Sequence, residues 1–106
     1  MKSLPIHVKP YKRTPIFDQD SIPDGLRKNH STKSNVWGLI TIIKGELEYH
    51  ITQDEHELIL LDESQPGVVE PEVKHFIKPV GDVQLYVEFY KYPVVRKCPS
   101  AKARVL

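Results

Sequence analysis

The sequence predicts a single small all-β domain, folded as a closed barrel of about six to nine short strands. Short segments rich in Val, Ile and Tyr are separated by Gly, Pro and Asp turn signals about every ten residues, a spacing typical of all-β folds. No segment has the 3.6-residue period of an amphipathic helix. Closing the sheet into a barrel would also remove strand edges that a short chain has little means of protecting.

Length and composition limit the class of protein. The 106 residues are enough for one domain with one core, and a content of 40% hydrophobic and 27% charged residues indicates a globular chain. The formal net charge is only +1, so bulk charge predicts neither a nucleic-acid partner nor a membrane partner. No apolar run approaches the length of a membrane span.

The first predicted strands lie in the middle of the chain. Residues 36–43 are almost continuously apolar, which predicts a strand buried on both faces. Lys44 and Gly45 predict a tight hairpin, because glycine readily adopts the positive φ that such turns need. The return strand, residues 46–52, alternates in polarity, so we expect one packed face and one solvated face that includes His50. The packed face would consist of Leu47, Tyr49 and Ile51.

Further strands are predicted over residues 56–62, 68–69, 75–80 and 83–92. In the first of these, all four apolar residues from Leu58 to Leu61 are expected to supply the core. Gly81 and Asp82 predict a turn between the last two strands.

The two ends of the chain are expected to play peripheral roles. Four prolines in the N-terminal third predict edge strands and extended loop. Residues 22–28 are expected to form a short, loop-like segment. Residues 1–92 would form the barrel, and residues 93–106 a basic tail that docks on a partner or is disordered. Cys98 is the only cysteine, so no intrachain disulfide can form, and we expect a cytoplasmic protein.

Histidines are the main candidates for chemistry. The five lie far apart in sequence, with no HxH or HExxH pair, so spacing alone is a weak signal for a metal. The segment Pro66–Phe76 is more informative, because it combines a glycine turn, a short strand, a proline loop and then His75. The histidines are His7, His30, His50, His56 and His75.

That segment resembles the second motif of the cupins, which brings a metal-ligating imidazole to the pocket of a jelly-roll barrel. The first cupin motif supplies a paired HxH and a Glu, of which this chain retains only His30. The resemblance implies His30 and His75 as metal ligands, with Glu70 as a third. Such ligands suit a divalent ion such as Zn²⁺.

A more specific resemblance covers about residues 6–92. The pattern is similar to the cupin-like N-terminal domain of the tellurite-resistance protein TehB and to its stand-alone, YeaR-like relatives. It implies a domain that binds a small ligand, a metal or an oxyanion in tellurite resistance. The methyltransferase domain of the longer proteins is absent from this sequence, so methyl transfer is not implied. The matching residues are His30–Lys33, Trp37–Gly38, Lys44–Leu47, Val69–Pro71, His75 and Phe89–Tyr90.

Each candidate has a structural alternative. His75 could simply donate to a backbone carbonyl, and Trp37 could belong to the core instead of forming a platform for a ligand. Lys33 could hold an oxyanion at the pocket mouth or be only a solvated lysine.

Three functions follow from these candidates. The first is a small-ligand or metal-binding domain, the second a small metal-dependent cupin enzyme, and the third a homodimeric interaction module.

Overall fold

Two long antiparallel strands form the centre of the fold in this computed structural model, which describes residues 1–94. Both are much longer than the strands predicted from the sequence. The elements in chain order are β1 Lys9–Arg13, β2 Phe17–Asp18, α1 Asp24–Arg27, β3 Trp37–Ile51, β4 Glu57–Leu61, β5 Gly67–Val69 and β6 His75–Lys91.

The strands make one open antiparallel sheet. β3 pairs with β6 along its whole length, and β1 and β2 pair with β6 while β4 and β5 pair with β3. In the order β1-β6-β3-β4 the two outer strands do not pair with each other, so hydrogen bonding within residues 1–94 does not close the sheet. The all-β prediction is therefore confirmed as a mostly β, antiparallel single domain, without the closed barrel.

The predicted hairpin at Lys44 and Gly45 is wrong. Residues 37–51 are one strand, and Gly45 lies at a bulge where its register with β6 shifts. Its φ of 88° bends the strand instead of reversing it, because β6 supplies pairing partners on both sides of the bulge. The turn predicted at Gly81 and Asp82 is likewise a bend inside β6.

The apolar segment of β4 contributes less to the core than predicted. Only Leu61 is fully buried, whereas Leu58 and Leu60 are 56% and 49% exposed. These two pair with His50 and Glu48, which lie on the outer face of β3. Since side chains alternate along a strand, four consecutive apolar residues cannot all point inwards.

The core lies on the inner face of the sheet. Leu47, Tyr49 and Ile51 are buried there, as their alternation predicted, and Leu85 packs with them. The only hydroxyl of this group, that of Tyr49, donates to the backbone carbonyl of Val68 at 3.0 Å. Burial of the Tyr49 ring raises the pKa of its hydroxyl, so the group is a neutral donor.

Replacing Tyr49 with phenylalanine is expected to lower the free energy of unfolding by about 1 kcal/mol, since the buried carbonyl of Val68 loses a donor. Urea denaturation measures the change. Tyr92→Phe is the matched control, because Tyr92 is half exposed and outside the core. Equal stability of the two variants would contradict the role given to this hydrogen bond.

The chain ends are described only in part. Within residues 1–94, no helix has the length and apolar character needed to span a membrane. The tail predicted over residues 93–106 lies outside the described residues except for Pro93 and Val94.

Candidate ligand pocket

A cavity of about 420 Å³ lies on the inner face of the sheet. Its volume is within the range of small-molecule pockets. Strands β1, β3, β5 and β6 line it together with α1 and the loop between α1 and β3. The lining residues are Tyr11, Lys12, Leu26, His30, Ser31, Thr32, Lys33, Val36, Gly38, Ile40, Val69, His75, Ile77, Val87 and Phe89.

His30 and His75 meet at this cavity through their backbones. The amide of His75 donates to the carbonyl of His30 at 2.8 Å, and the amide of His30 donates back to the carbonyl of His75 at 2.9 Å. This reciprocal pair fixes the loop before β3 against the start of β6. The two imidazole centroids are consequently only 4.2 Å apart.

Backbone carbonyls set the orientation of both rings. His75 Nδ1 lies 2.8 Å from the carbonyl of Val73, and His30 Nδ1 lies 2.9 Å from the carbonyl of Lys28. Because a carbonyl only accepts, each Nδ1 carries a proton. In the neutral ring the lone pair is then on Nε2.

His75 is neutral at physiological pH. The residue is 4% exposed, and this burial lowers the pKa of its imidazole from 6.5 to about 4, with a smaller contribution from neighbouring His30. No fully buried side-chain nitrogen or oxygen in residues 1–94 lacks a hydrogen-bond partner. His75 Nε2 has no hydrogen-bond partner among these residues, so it is not fully buried, and His75 is part of the cavity wall.

The cavity wall includes both apolar and polar side chains. Much of it is aliphatic or aromatic, formed by side chains such as Ile40, Val87 and Phe89. The polar side chains belong to the loop before β3 and to β1, where Lys12 and Lys33 are exposed to solvent. The pocket thus combines an apolar interior and imidazole acceptors with a cationic rim.

The structure brings three of the five predicted site residues together. His30, His75 and Lys33 line the cavity, whereas Trp37 and Glu70 do not. Trp37 immediately precedes the cavity residue Gly38 on β3, and successive side chains of a strand point to opposite faces. The carboxylate oxygen Oε1 of Glu70 lies 3.6 Å from Lys2 Nζ.

The residues present do not assemble the three-ligand zinc centre implied by the cupin resemblance. Glu70 is not with the two imidazoles, and residues 1–94 contain no group of three or more His, Cys, Asp or Glu side chains placed to hold a metal ion.

Two pocket residues, Tyr11 and Lys12, have no pattern in the sequence that predicts their role. Tyr11 and Lys12 lie on an edge strand whose residues are all exposed at the surface, so no pattern marked them. They reach the site because β1 pairs with the end of β6.

Comparison with known proteins identifies the domain. The family model of the TehB-like domain matches residues 12–87. Two strains of Haemophilus influenzae have relatives named probable S-adenosyl-L-methionine-dependent methyltransferase TehB, 33% and 32% identical over 76 residues. That alignment covers 68% of this chain but only 27% of each relative.

Solved structures share the fold. The crystal structure of TehB from H. influenzae has a TM-score of 0.74 at 25% identity, over 82% of this chain and 32% of that one. A protein from Escherichia coli K12 has a TM-score of 0.80 at 24% identity, over 89% of this chain and all of the other.

A third similar structure is QdtA, a sugar 3,4-ketoisomerase from Thermoanaerobacterium thermosaccharolyticum, with a TM-score of 0.55 at 15% identity over 91% of this chain and 78% of that one. At that identity only the fold is comparable. The family model and the curated relatives, by contrast, match most of the sequence, and on that basis this chain belongs to the TehB-like domain family.

Proposed function

We propose that this TehB-like domain is a cupin-type domain that binds a small molecule and acts in the cytoplasm in resistance to tellurite or related oxyanions. The observation that carries the proposal is the cavity of about 420 Å³ with two imidazoles at its wall. The lone cysteine supports the location, and the family supports the resistance role.

The pocket walls favour one class of ligand. An apolar body suits the aliphatic and aromatic wall, and a hydrogen-bond donor on that body suits the Nε2 lone pairs. An anionic group at the other end of the molecule would lie near Lys12 and Lys33. A small amphipathic acid with a donor group meets all three conditions.

A bare oxyanion fits only the rim. Taking a charged, strongly hydrated anion into an apolar wall beside a neutral imidazole would cost several kcal/mol. Lys12 and Lys33 offer positive charge where water remains available. If tellurite binds directly, we expect it between these lysines and not at the imidazoles.

The proposed role is ligand binding. The methyltransferase activity in the relatives' names is not carried over, because the alignment covers only 27% of each relative. The small metal-dependent enzyme is less well supported, since two imidazoles without a third ligand make an incomplete metal centre.

Filling the pocket is expected to abolish binding. In a thermal-shift screen with small carboxylic acids, S-adenosylmethionine, tellurite, selenite and divalent metals, a ligand at ten times its Kd should raise the Tm of the wild-type domain by about 5 °C. In Val36→Phe the same ligand should give a shift below about 1 °C, since Val36 is half-buried in the cavity wall.

Val80→Phe is the matched control, because Val80 is exposed on β6 and does not line the cavity. It should retain the full shift. A response to tellurite alone that is lost in Lys12→Gln/Lys33→Gln would support the rim site. Equal responses of the two phenylalanine variants, or no stabilising compound in the screen, would refute the pocket.

A further inference from the structure

A second pair of histidines lies on the outer face of the sheet, away from the cavity. His50 is on β3 between Tyr49 and Ile51, whose side chains point into the core, so its own side chain points the other way. His56 immediately precedes β4. The Nδ1 atom of His50 and the Nε2 atom of His56 are 2.8 Å apart.

Glu48 determines which ring nitrogen of His50 carries the lone pair. Its carboxylate Oε1 lies 2.8 Å from His50 Nε2 and can only accept, so His50 Nε2 carries a proton. The lone pair of the neutral ring is then on Nδ1, directed at His56. In this arrangement His56 Nε2 donates the proton that the two rings share.

His50 is also held rigidly. Its ring stacks on Phe76 of β6 with a centroid distance of 4.3 Å and an interplanar angle of 9°. The side chain is only 13% exposed, while His56 is at the surface. The ring of His50 is thus fixed on β3, whereas His56 is exposed to solvent.

The 2.8 Å distance between His50 Nδ1 and His56 Nε2 is close to the distance between two nitrogen ligands of one metal ion. With metal–nitrogen bonds of about 2.05 Å and an angle of about 90–109°, two imidazole nitrogens on one ion lie about 2.9–3.3 Å apart. A carboxylate hydrogen-bonded to the far side of a ligating histidine is the usual support of such a site. Glu48 stands in that position.

We propose that His50 Nδ1 and His56 Nε2 form a surface site for a borderline divalent cation such as Zn²⁺ or Cu²⁺, supported by Glu48. For the ion to bind, neutral His56 changes from its Nε2–H tautomer to its Nδ1–H tautomer, losing one proton to water at Nε2 and taking one up from water at Nδ1. Its exposed ring turns so that both lone pairs point at the ion. Two protein ligands are fewer than the three sought above, and water completes the coordination. This site is independent of the proposed pocket function.

Titration with metal alone tests the site. Zn²⁺ is titrated by calorimetry and Cu²⁺ by electron paramagnetic resonance, in a Cys98→Ser background so that the thiol does not compete. We expect one ion per chain and a copper spectrum with two nitrogen ligands. Copper should bind more tightly than zinc.

Variants distinguish this site from the pocket. His50→Ala and His56→Ala should each weaken binding at least tenfold, and Glu48→Gln about tenfold as a supporting residue. His7→Ala, an exposed histidine elsewhere, and His75→Ala should leave it unchanged. Absence of binding, survival of binding in His50→Ala/His56→Ala, or loss only in His75→Ala would each overturn the proposal.

Discussion

Replacing Gly45 with alanine is expected to lower the free energy of unfolding by about 3 kcal/mol, and the Tm by at least about 10 °C. At φ 88° an L side chain is strained, and the added Cβ would overlap the carbonyl oxygen of Asp82. Because the overlapping oxygen belongs to the backbone, no change of side-chain rotamer can relieve the overlap. Relief requires β3 and β6 to separate at the bulge.

Gly81→Ala is the matched control for this effect. Gly81 also has a positive φ, of 65°, but a Cβ there would meet no atom within 4 Å. Only backbone strain then destabilises the variant, and we expect its free energy of unfolding to fall by about 1 kcal/mol. Thermal and urea denaturation of both variants measure the difference. Equal losses would mean that the contact between the bent strands is not the cause.

Stability is expected to fall by about 2 kcal/mol between pH 7.5 and pH 5 because of His75. Burial lowers its folded-state pKa to about 4, whereas its ordinary value is 6.5. Between these values the unfolded chain binds a proton that the folded chain does not, so acid favours unfolding. The full difference between the two pKa values corresponds to about 3 kcal/mol, reached at and below pH 4.

His75→Asn isolates this contribution. The asparagine amide can still donate to the carbonyl of Val73, which His75 Nδ1 contacts at 2.8 Å, but it does not titrate. Urea midpoints at each pH should therefore vary less in this variant than in the wild type. His7→Asn, at an exposed histidine, should keep the wild-type dependence. An unchanged pH profile in His75→Asn would contradict the neutral, buried imidazole.

The site could be predicted only where its residues matched a family motif. The resemblance to the cupin motifs implied His30 and His75, and Lys33 belongs to the segment that resembles TehB. All three line the cavity. Glu70 fitted the same motif, yet its carboxylate lies near Lys2. Spacing along a chain does not tell which side of the sheet a loop residue faces.

The β class of the fold was predicted correctly, but the positions at which the chain turns were not. Alternating polarity correctly placed Tyr49 in the core, because the period of two is a property of each strand alone. A glycine such as Gly45 suits either a hairpin turn or a β-bulge, and only the partner strand decides between the two. That partner, β6, lies more than twenty residues further along the chain.

The sequence by itself determined the β character of this chain, its family, and the residues with inward-facing alternation, since each depends on local pattern. Tertiary structure alone decided that β3 and β6 continue past Gly45 and Gly81, and that His30 meets His75. It also decided that the sheet formed by residues 1–94 is open. The physical reason is that hydrogen bonds between strands distant in sequence select among turns and faces that are locally equivalent.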